Sequence, residues 1–508
     1  MRHVIVARIA IAGTAAVFAP HSAAAQQADR SSHAPPTTAG KIPITTSSAE
    51  ARALFLRARA LNETLKPHEA HVVFEQAVAR DPSFAIGEYY LASTSPNARE
   101  LNAHLTKAVT LAANASPGER LMILGMQART NVDRTRARQL AESLVVLYPN
   151  DERARFVLGS IYAAQQRYPE EIAQFEKAIA INPTYSLAYN QIGYAYRAVG
   201  DMNSAESAFQ KNIALLPDDP NPHDSYAELL MKMGRFDASI AEYKKALAID
   251  PHFGASHIGI AANEIYLRRH GDAVKELDIY YKAARDDGER RAALANQAMV
   301  HVDHGGTDAA VAAMEKSRDI ASAARDIAGV AADESVIGDI LLDAGQLDDA
   351  VARYAHAHDV VARSALAPEL KDDDALAAHY DQARIALAHH QLAAARTEAT
   401  TYTSGATTKK NDARIRQAHE LNGLVALEAK DFDVSLTELA KADQENPAVW
   451  YAMSRAEGGK GNASKAAEYA TRARSMNILP TFPYAFTRAA IGSATGAVSS
   501  RSVRGTRR

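Results

Sequence analysis

The sequence predicts an all-α solenoid of stacked antiparallel helix pairs, and three observations support that. Prolines recur at Pro82, Pro117, Pro149, Pro183, Pro217 and Pro251, at spacings of 35, 32, 34, 34 and 34 residues. Proline lacks an amide hydrogen and disfavours helix in the residue before it, so it punctuates helix ends. A fixed period near 34 marks a repeat array. Between the prolines, apolar residues follow helical spacing, as in Tyr189, Ile192, Gly193 and Tyr196. The chain is 47% hydrophobic, only 6% aromatic and rich in alanine, which favours helices packed through small side chains over a β-sandwich.

The first element is a leader. "MRHVIVARIAIAGTAAVFAPHSAAAQQ" sets Arg2 ahead of an apolar run from Val4 to Ala19, broken by Arg8, and reaches Ala23 to Ala25. This is the layout of a secretory signal peptide over 1–25, cut after Ala25, and it implies a periplasmic or secreted mature chain. The run falls short of the roughly 20 apolar residues that span a bilayer. No integral membrane segment is expected in the mature chain. Residues 26–48 are rich in Ser, Thr, Pro and Ala without helical period, and are expected to form a disordered linker. Helical patterning starts near Ala49. It divides into an N-terminal repeat array over 49–286 and a degenerate C-terminal array over 287–490. Residues 491–508 return to Gly, Ser and Arg and read as a disordered basic tail.

Two helices fit each period. In "YNQIGYAYRAVGDMNSAESAFQKNIALLP" (189–217), Gly193 falls on the buried stripe of the first helix. Glycine there costs about 1 kcal/mol relative to alanine, and it lets the second helix come close. Gly200 offers a left-handed exit, and Asp201 or Asn203 can cap the next start. Ala205, Phe209 and Ile213 line the second helix, and Pro217 closes the unit.

This pattern resembles the tetratricopeptide repeat. The first helix of that family favours Trp, Leu, Gly and Tyr, and the second favours Ala, Phe and Ala before a Pro. Arg155, Leu158, Gly159, Tyr162, Glu171, Phe175, Ala178 and Pro183 hold those places in one unit. Tyr189, Ile192, Gly193, Tyr196, Ala205, Phe209, Asn212 and Pro217 hold them in the next. The likeness is strong over 118–251 and thins after Asp286, where 288–322 and 375–401 read as alanine-rich helix pairs. The resemblance implies a right-handed superhelical solenoid without catalytic activity, binding a protein or peptide partner in its concave groove. Combined with the leader, it implies a scaffold of the bacterial cell envelope. The groove-facing places hold Met122, Met126, Arg129, Arg153, Phe156, Asn190, Tyr194, Arg197, Asp224, Glu228 and Met231. Methionines and aromatics with a few charges suit an extended peptide or a partner helix.

Other chemistries find little support. With no cysteine, disulfides, thiolate metal sites and cysteine nucleophiles are excluded. The formal net charge of −3 becomes −5 once Arg2 and Arg8 leave with the leader, and −9 without the four arginines of the tail. An acidic body is a poor nucleic-acid binder. The 18 histidines include four clusters: His68/Glu69/His71, His301/Asp303/His304, His356/His358/Asp359 and His389/His390. None has the three or four ligands at diagnostic spacing that a zinc site needs, so no metal or cofactor is expected. "EGGKGNASK" (457–465) lacks the phosphate-loop order, because Lys460 precedes Gly461. Two alternatives stay open: a metal-dependent hydrolase using a histidine cluster, and an envelope assembly or transport factor touching anionic lipid through its arginine tail.

Overall fold

The computed structural model describes residues 40–64, 66–95, 97–131 and 133–491. The expected leader 1–25, the linker up to 39 and the tail from 492 lie outside the described residues. Among the described residues every regular element is helical. Those up to Leu229 form one compact unit and those from Leu230 a second.

In the N-terminal unit, α1 (Ala49–Glu63) pairs with α2 (Pro67–Arg80), and α3 (Ala85–Thr94) with α4 (Ala98–Leu111). Then α5 (Pro117–Thr130) pairs with α6 (Arg134–Leu147), α7 (Glu152–Ala164) with α8 (Tyr168–Ile181), and α9 (Ser186–Val199) with α10 (Met202–Leu215). The unit boundary falls inside α11 (Pro220–Lys232). The C-terminal unit continues with α12 (Phe236–Ile249), α13 (Gly254–Tyr266) and α14 (His270–Ala283). Four longer helices follow: α15 (Asp287–Asp303), α16 (Thr307–Ala323), α17 (Ile327–Asp343) and α18 (Leu347–Arg363). Then come α19 (Pro368–Ala388), α20 (Leu392–Thr408), α21 (Asp412–Glu428), α22 (Phe432–Leu439), α23 (Pro447–Gly459) and α24 (Ala463–Arg474). A last helix, α25, occupies 482–491.

Local chemistry sets the helix ends. Pro149, Pro183, Pro217 and Pro251 each follow the C-cap of a second helix. Pro117 differs: it is the first residue of α5, behind a capping box of Ser116 and Glu119. A proline at N1 forfeits no intrahelical bond. That exception explains the uneven spacings of 35 and 32. Gly200 leaves α9 at φ 83°, and Asp201 caps α10 by accepting from Ser204 N.

Packing within a pair confirms the role of Gly193. A Cβ added there would sit 2.7 Å from Phe209 Cζ. Phe209 is fully buried, while Tyr196 is half-buried and donates its hydroxyl to Glu176 Oε1 at 2.9 Å. Gly159 under Phe175 and Gly338 under Tyr354 repeat the device.

Two expected boundaries change. The compact units divide at 229/230 rather than at 286/287. What happens at 287 is a change of period. First helices start at 117, 152, 186, 220, 254 and 287, then at 327, 368 and 412. Helices α15 to α18 have 17 residues each where α7 to α14 have 13 or 14, one extra turn at 3.6 residues per turn. The repeat signature thins there because its spacing is stretched.

The expected linker 26–48 also ends early, because residues 40–48 are fixed on the array. Thr46 Oγ1 donates to Asp81 Oδ2 at 2.5 Å, Thr45 N to Glu119 Oε1 at 2.8 Å, and Ile42 N to Asp151 Oδ2 at 2.8 Å. Lys41 pairs with Glu152. Ile42 and Ile44 pack on the apolar core. The segment crosses the α2–α3 turn and the starts of α5 and α7.

Candidate functional site

The first helices of stacked pairs line the inner face of such an array, and each unit has its own. In the N-terminal unit the α1–α2 turn folds onto that face. Arg153 Nε donates to Glu63 Oε1 at 2.7 Å, and Arg153 also meets Glu152 at 3.0 Å. Ser186 Oγ donates to the carbonyl of Glu63 at 2.7 Å. Tyr90 and Tyr185 lie buried beside this group, and burial pushes both phenols up. Arg153 is therefore an internal tie between α1 and α7.

The other expected groove residues fall into two sets. Met122, Asn190, Asp224 and Met231 are buried, at 5%, 4%, 5% and 2% exposure. They fill helix contacts and offer no surface to a ligand, which corrects their assignment. Asn190 Nδ2, for example, donates to Ser225 Oγ at 2.9 Å. Phe156 is half-buried between rings, 5.4 Å from Phe175 and 5.5 Å from Tyr185. Met126 is half-buried against the core, and Arg129 is exposed.

Tyr194, Arg197 and Glu228 form a connected, partly open group. The Tyr194 hydroxyl reaches Ser225 Oγ at 3.1 Å, and its ring meets Phe209 edge-on at 5.1 Å. The Arg197 guanidinium lies 4.7 Å above the Tyr194 ring and donates to Glu228 Oε2 at 3.2 Å. Side-chain exposure is 27% for Arg197 and 21% for Glu228. A planar cation held over an aromatic ring keeps donors free for a carboxylate or a backbone carbonyl.

In the C-terminal unit the inner face is occupied by α25, which the sequence did not disclose. Phe482 and Ala485 join the apolar cluster built by α15 to α18, with Ile385 of α19 at its edge. Arg488 Nε donates to Asp303 Oδ1 at 2.6 Å, and its guanidinium lies 4.8 Å from the Tyr266 ring. Ile491 joins the apolar cluster built by α21 to α24. Lys232 Nζ holds the carbonyl of Met476 at 2.8 Å, and the Tyr266 hydroxyl holds that of Ile478. In the same unit a recess of about 330 Å³ stays open between α17, α19, α21 and α23, lined by residues including Leu342, Arg384, Leu387, Leu424, Glu428 and Arg455. The available signal was the run "FPYAFTR", whose Phe482 and Phe486 are four apart.

Several histidines pair with carboxylates on neighbouring helices. His257 meets Glu276 at 2.5 Å, His379 meets Glu398 at 2.6 Å and His419 meets Glu438 at 2.7 Å. Of the sequence clusters, His71 binds Thr94, His304 turns to the carbonyl of His301, and His390 meets Glu428. His358 sits between Asp374 and Asp381. Burial draws its pKa down, but the two carboxylates outweigh that and raise it to about 9. Among the described residues no group of three His, Asp or Glu side chains is placed to hold a metal, and no helix is long and apolar enough to cross a membrane. Of the glycines of "EGGKGNASK", Gly458 and Gly459 end α23 and Gly461 makes the α23–α24 turn at φ +83°, where Lys460 pairs with Asp433.

An all-α stack of antiparallel helix pairs defines a helical repeat array. Models of the tetratricopeptide repeat match residues 124–186, 174–207 and 224–253, so the chain carries tetratricopeptide repeats. It is 31% identical over 112 residues to the Hsp70-Hsp90 organizing protein of Triticum aestivum, covering 22% of this chain and 16% of that one. It is 23% identical over 185 residues to anaphase-promoting complex subunit 3 of Schizosaccharomyces pombe (strain 972 / ATCC 24843), covering 36% of this chain and 27% of that one. The chain thus spans less than a third of either relative. The solved structure of yeast Tom70 is similar at 18% identity and a TM-score of 0.38, over 55% of this chain and 63% of that one, a likeness of repeat fold alone.

Proposed function

We propose that this chain is a non-catalytic scaffold that holds a protein or peptide on the inner faces of its helix pairs. Tetratricopeptide repeat proteins act as protein- or peptide-binding scaffolds. One observation carries the reading for this chain: both units already hold non-repeat polypeptide of the same chain, 40–48 along the α2–α3 turn and the starts of α5 and α7, and α25 against α13 and α15. In the N-terminal unit the group that stays partly open is Tyr194, Arg197 and Glu228. The leader pattern, with its cut after Ala25, supports an envelope location for the mature chain. One relative it matches is named as an organizing protein for Hsp70 and Hsp90, in keeping with a scaffold.

Affinity capture from envelope extract tests this, with wild-type chain and an Arg197→Glu variant compared at equal helicity. The wild type is expected to retain a polypeptide that the variant loses at least about tenfold, as removal of a charge-assisted contact implies. Equal recovery by both chains would remove the N-terminal groove from the account.

A further inference from the structure

Helix α25 reaches the inner face through a non-helical tether, 475–481. It reaches pairs distant in sequence: Phe482 and Ala485 join the apolar cluster built by α15 to α18, Arg488 binds Asp303 of α15, and Ile491 joins the cluster built by α21 to α24. The seat is shaped chemically as well as sterically. Asp303 is 7% exposed, and a buried carboxylate needs a cationic or donating partner. His270 supplies one at 2.9 Å and Arg488 the other at 2.6 Å. The ring of Tyr266 lies under the same guanidinium. The apolar half of the seat takes aromatic side chains, with Phe482 4% exposed and Tyr484 fully buried. The same unit also carries an open recess lined by α17, α19, α21 and α23.

We propose that the inner face of the C-terminal unit is a seat for an amphipathic helix bearing spaced aromatic residues and an arginine. Helix α25 is its resident occupant, and a partner protein's helix of the same pattern replaces it. This is helix-in-groove recognition, with Asp303 and Tyr266 reading the arginine and the α15–α18 cluster reading the aromatics. A tethered occupant competes at an effective concentration on the order of millimolar. A free helix therefore gains the seat only when it binds more tightly or when α25 is released. The proposal rests on the scaffold reading above and adds the chemistry of the ligand.

The test uses a fluorescein-labelled peptide of residues 479–491 and the full chain carrying Tyr484→Ala with Arg488→Glu, which frees the seat. The peptide is expected to bind this variant at least about tenfold tighter than the wild type, whose own helix blocks the seat. A peptide with Arg488→Glu is expected not to bind. A variant with wild-type helicity and unfolding temperature that binds no peptide overturns the proposal. If the variant loses its fold, hydrogen exchange on the wild type decides. Exchange of 482–491 by local opening, faster than α15 and α17, supports a replaceable helix. Exchange only with global unfolding makes α25 a permanent part and overturns it. A concentration-dependent wild-type dimer that the variant abolishes would assign the seat to a second copy and also overturn it. Peptide binding without any captured partner would remove the scaffold reading, whereas capture without peptide binding removes only this inference.

Discussion

Glu171 stands where the repeat pattern asks for alanine. The side chain is 4% exposed, and its Oε2 lacks a hydrogen-bond partner. Burial pushes its pKa from the ordinary 4.5 up to about 7. The folded chain then holds this proton more firmly than the unfolded chain, so stability falls as pH rises from about 4.5 through about 7. Glu171→Ala is expected to stabilise the chain by about 1–3 kcal/mol, the penalty typical of a buried polar group without a partner. Denaturant unfolding at pH 5 and pH 8 checks this, and the gain should be larger at pH 8. His358 works in the opposite sense. Its raised pKa means that the stability contributed by its ion pairs is present in full below about 6.5 and is lost as pH climbs through about 9. His358→Ala is therefore expected to lower the unfolding temperature more at pH 6 than at pH 10. At this scale the sequence is only half legible. Glu171 shows as a departure from pattern and the histidines show as clusters, but burial and partners are invisible. The partner of His257, for instance, lies on the next helix, at Glu276.

Between two helices, a single missing side chain sets the distance. Gly193→Leu places carbon where the Phe209 ring already sits, since even a Cβ comes within 2.7 Å. Overpacking of a tight core costs on the order of 1–3 kcal/mol. Thermal unfolding of this variant should fall accordingly, and an unchanged midpoint would contradict the packing described for the pair. Much of this scale can be read in the sequence. Gly193, Gly200, Asp201 and Phe209 take the places their chemistry requires. The prolines mark pair boundaries, except Pro117, which opens a helix because Ser116 and Glu119 build a capping box around it. Beyond 287 the reading weakens for a physical reason. An extra turn in each of α15 to α18 shifts the spacings on which the 34-residue pattern depends.

At the scale of the chain, repeats are legible and occupants are not. Periodicity reports which residues face a neighbouring helix, and it is silent about segments outside the period. Residues 40–48 and α25 belong to no repeat, yet they take up part of the inner face or its edge in their respective units. That is also why Arg153 was misread: its place in the repeat faces inward, and Glu63 of α1 arrives there from 90 residues away. The central claim is that first helices present their inner faces to polypeptide. Hydrogen exchange on the N-terminal unit, with and without the polypeptide recovered by capture, tests it most directly. Protection is expected on α5, α7 and α9, concentrated near Tyr194 and Arg197, with α6, α8 and α10 unchanged. Protection confined to α6, α8 and α10, or no recovered polypeptide at all, would contradict it.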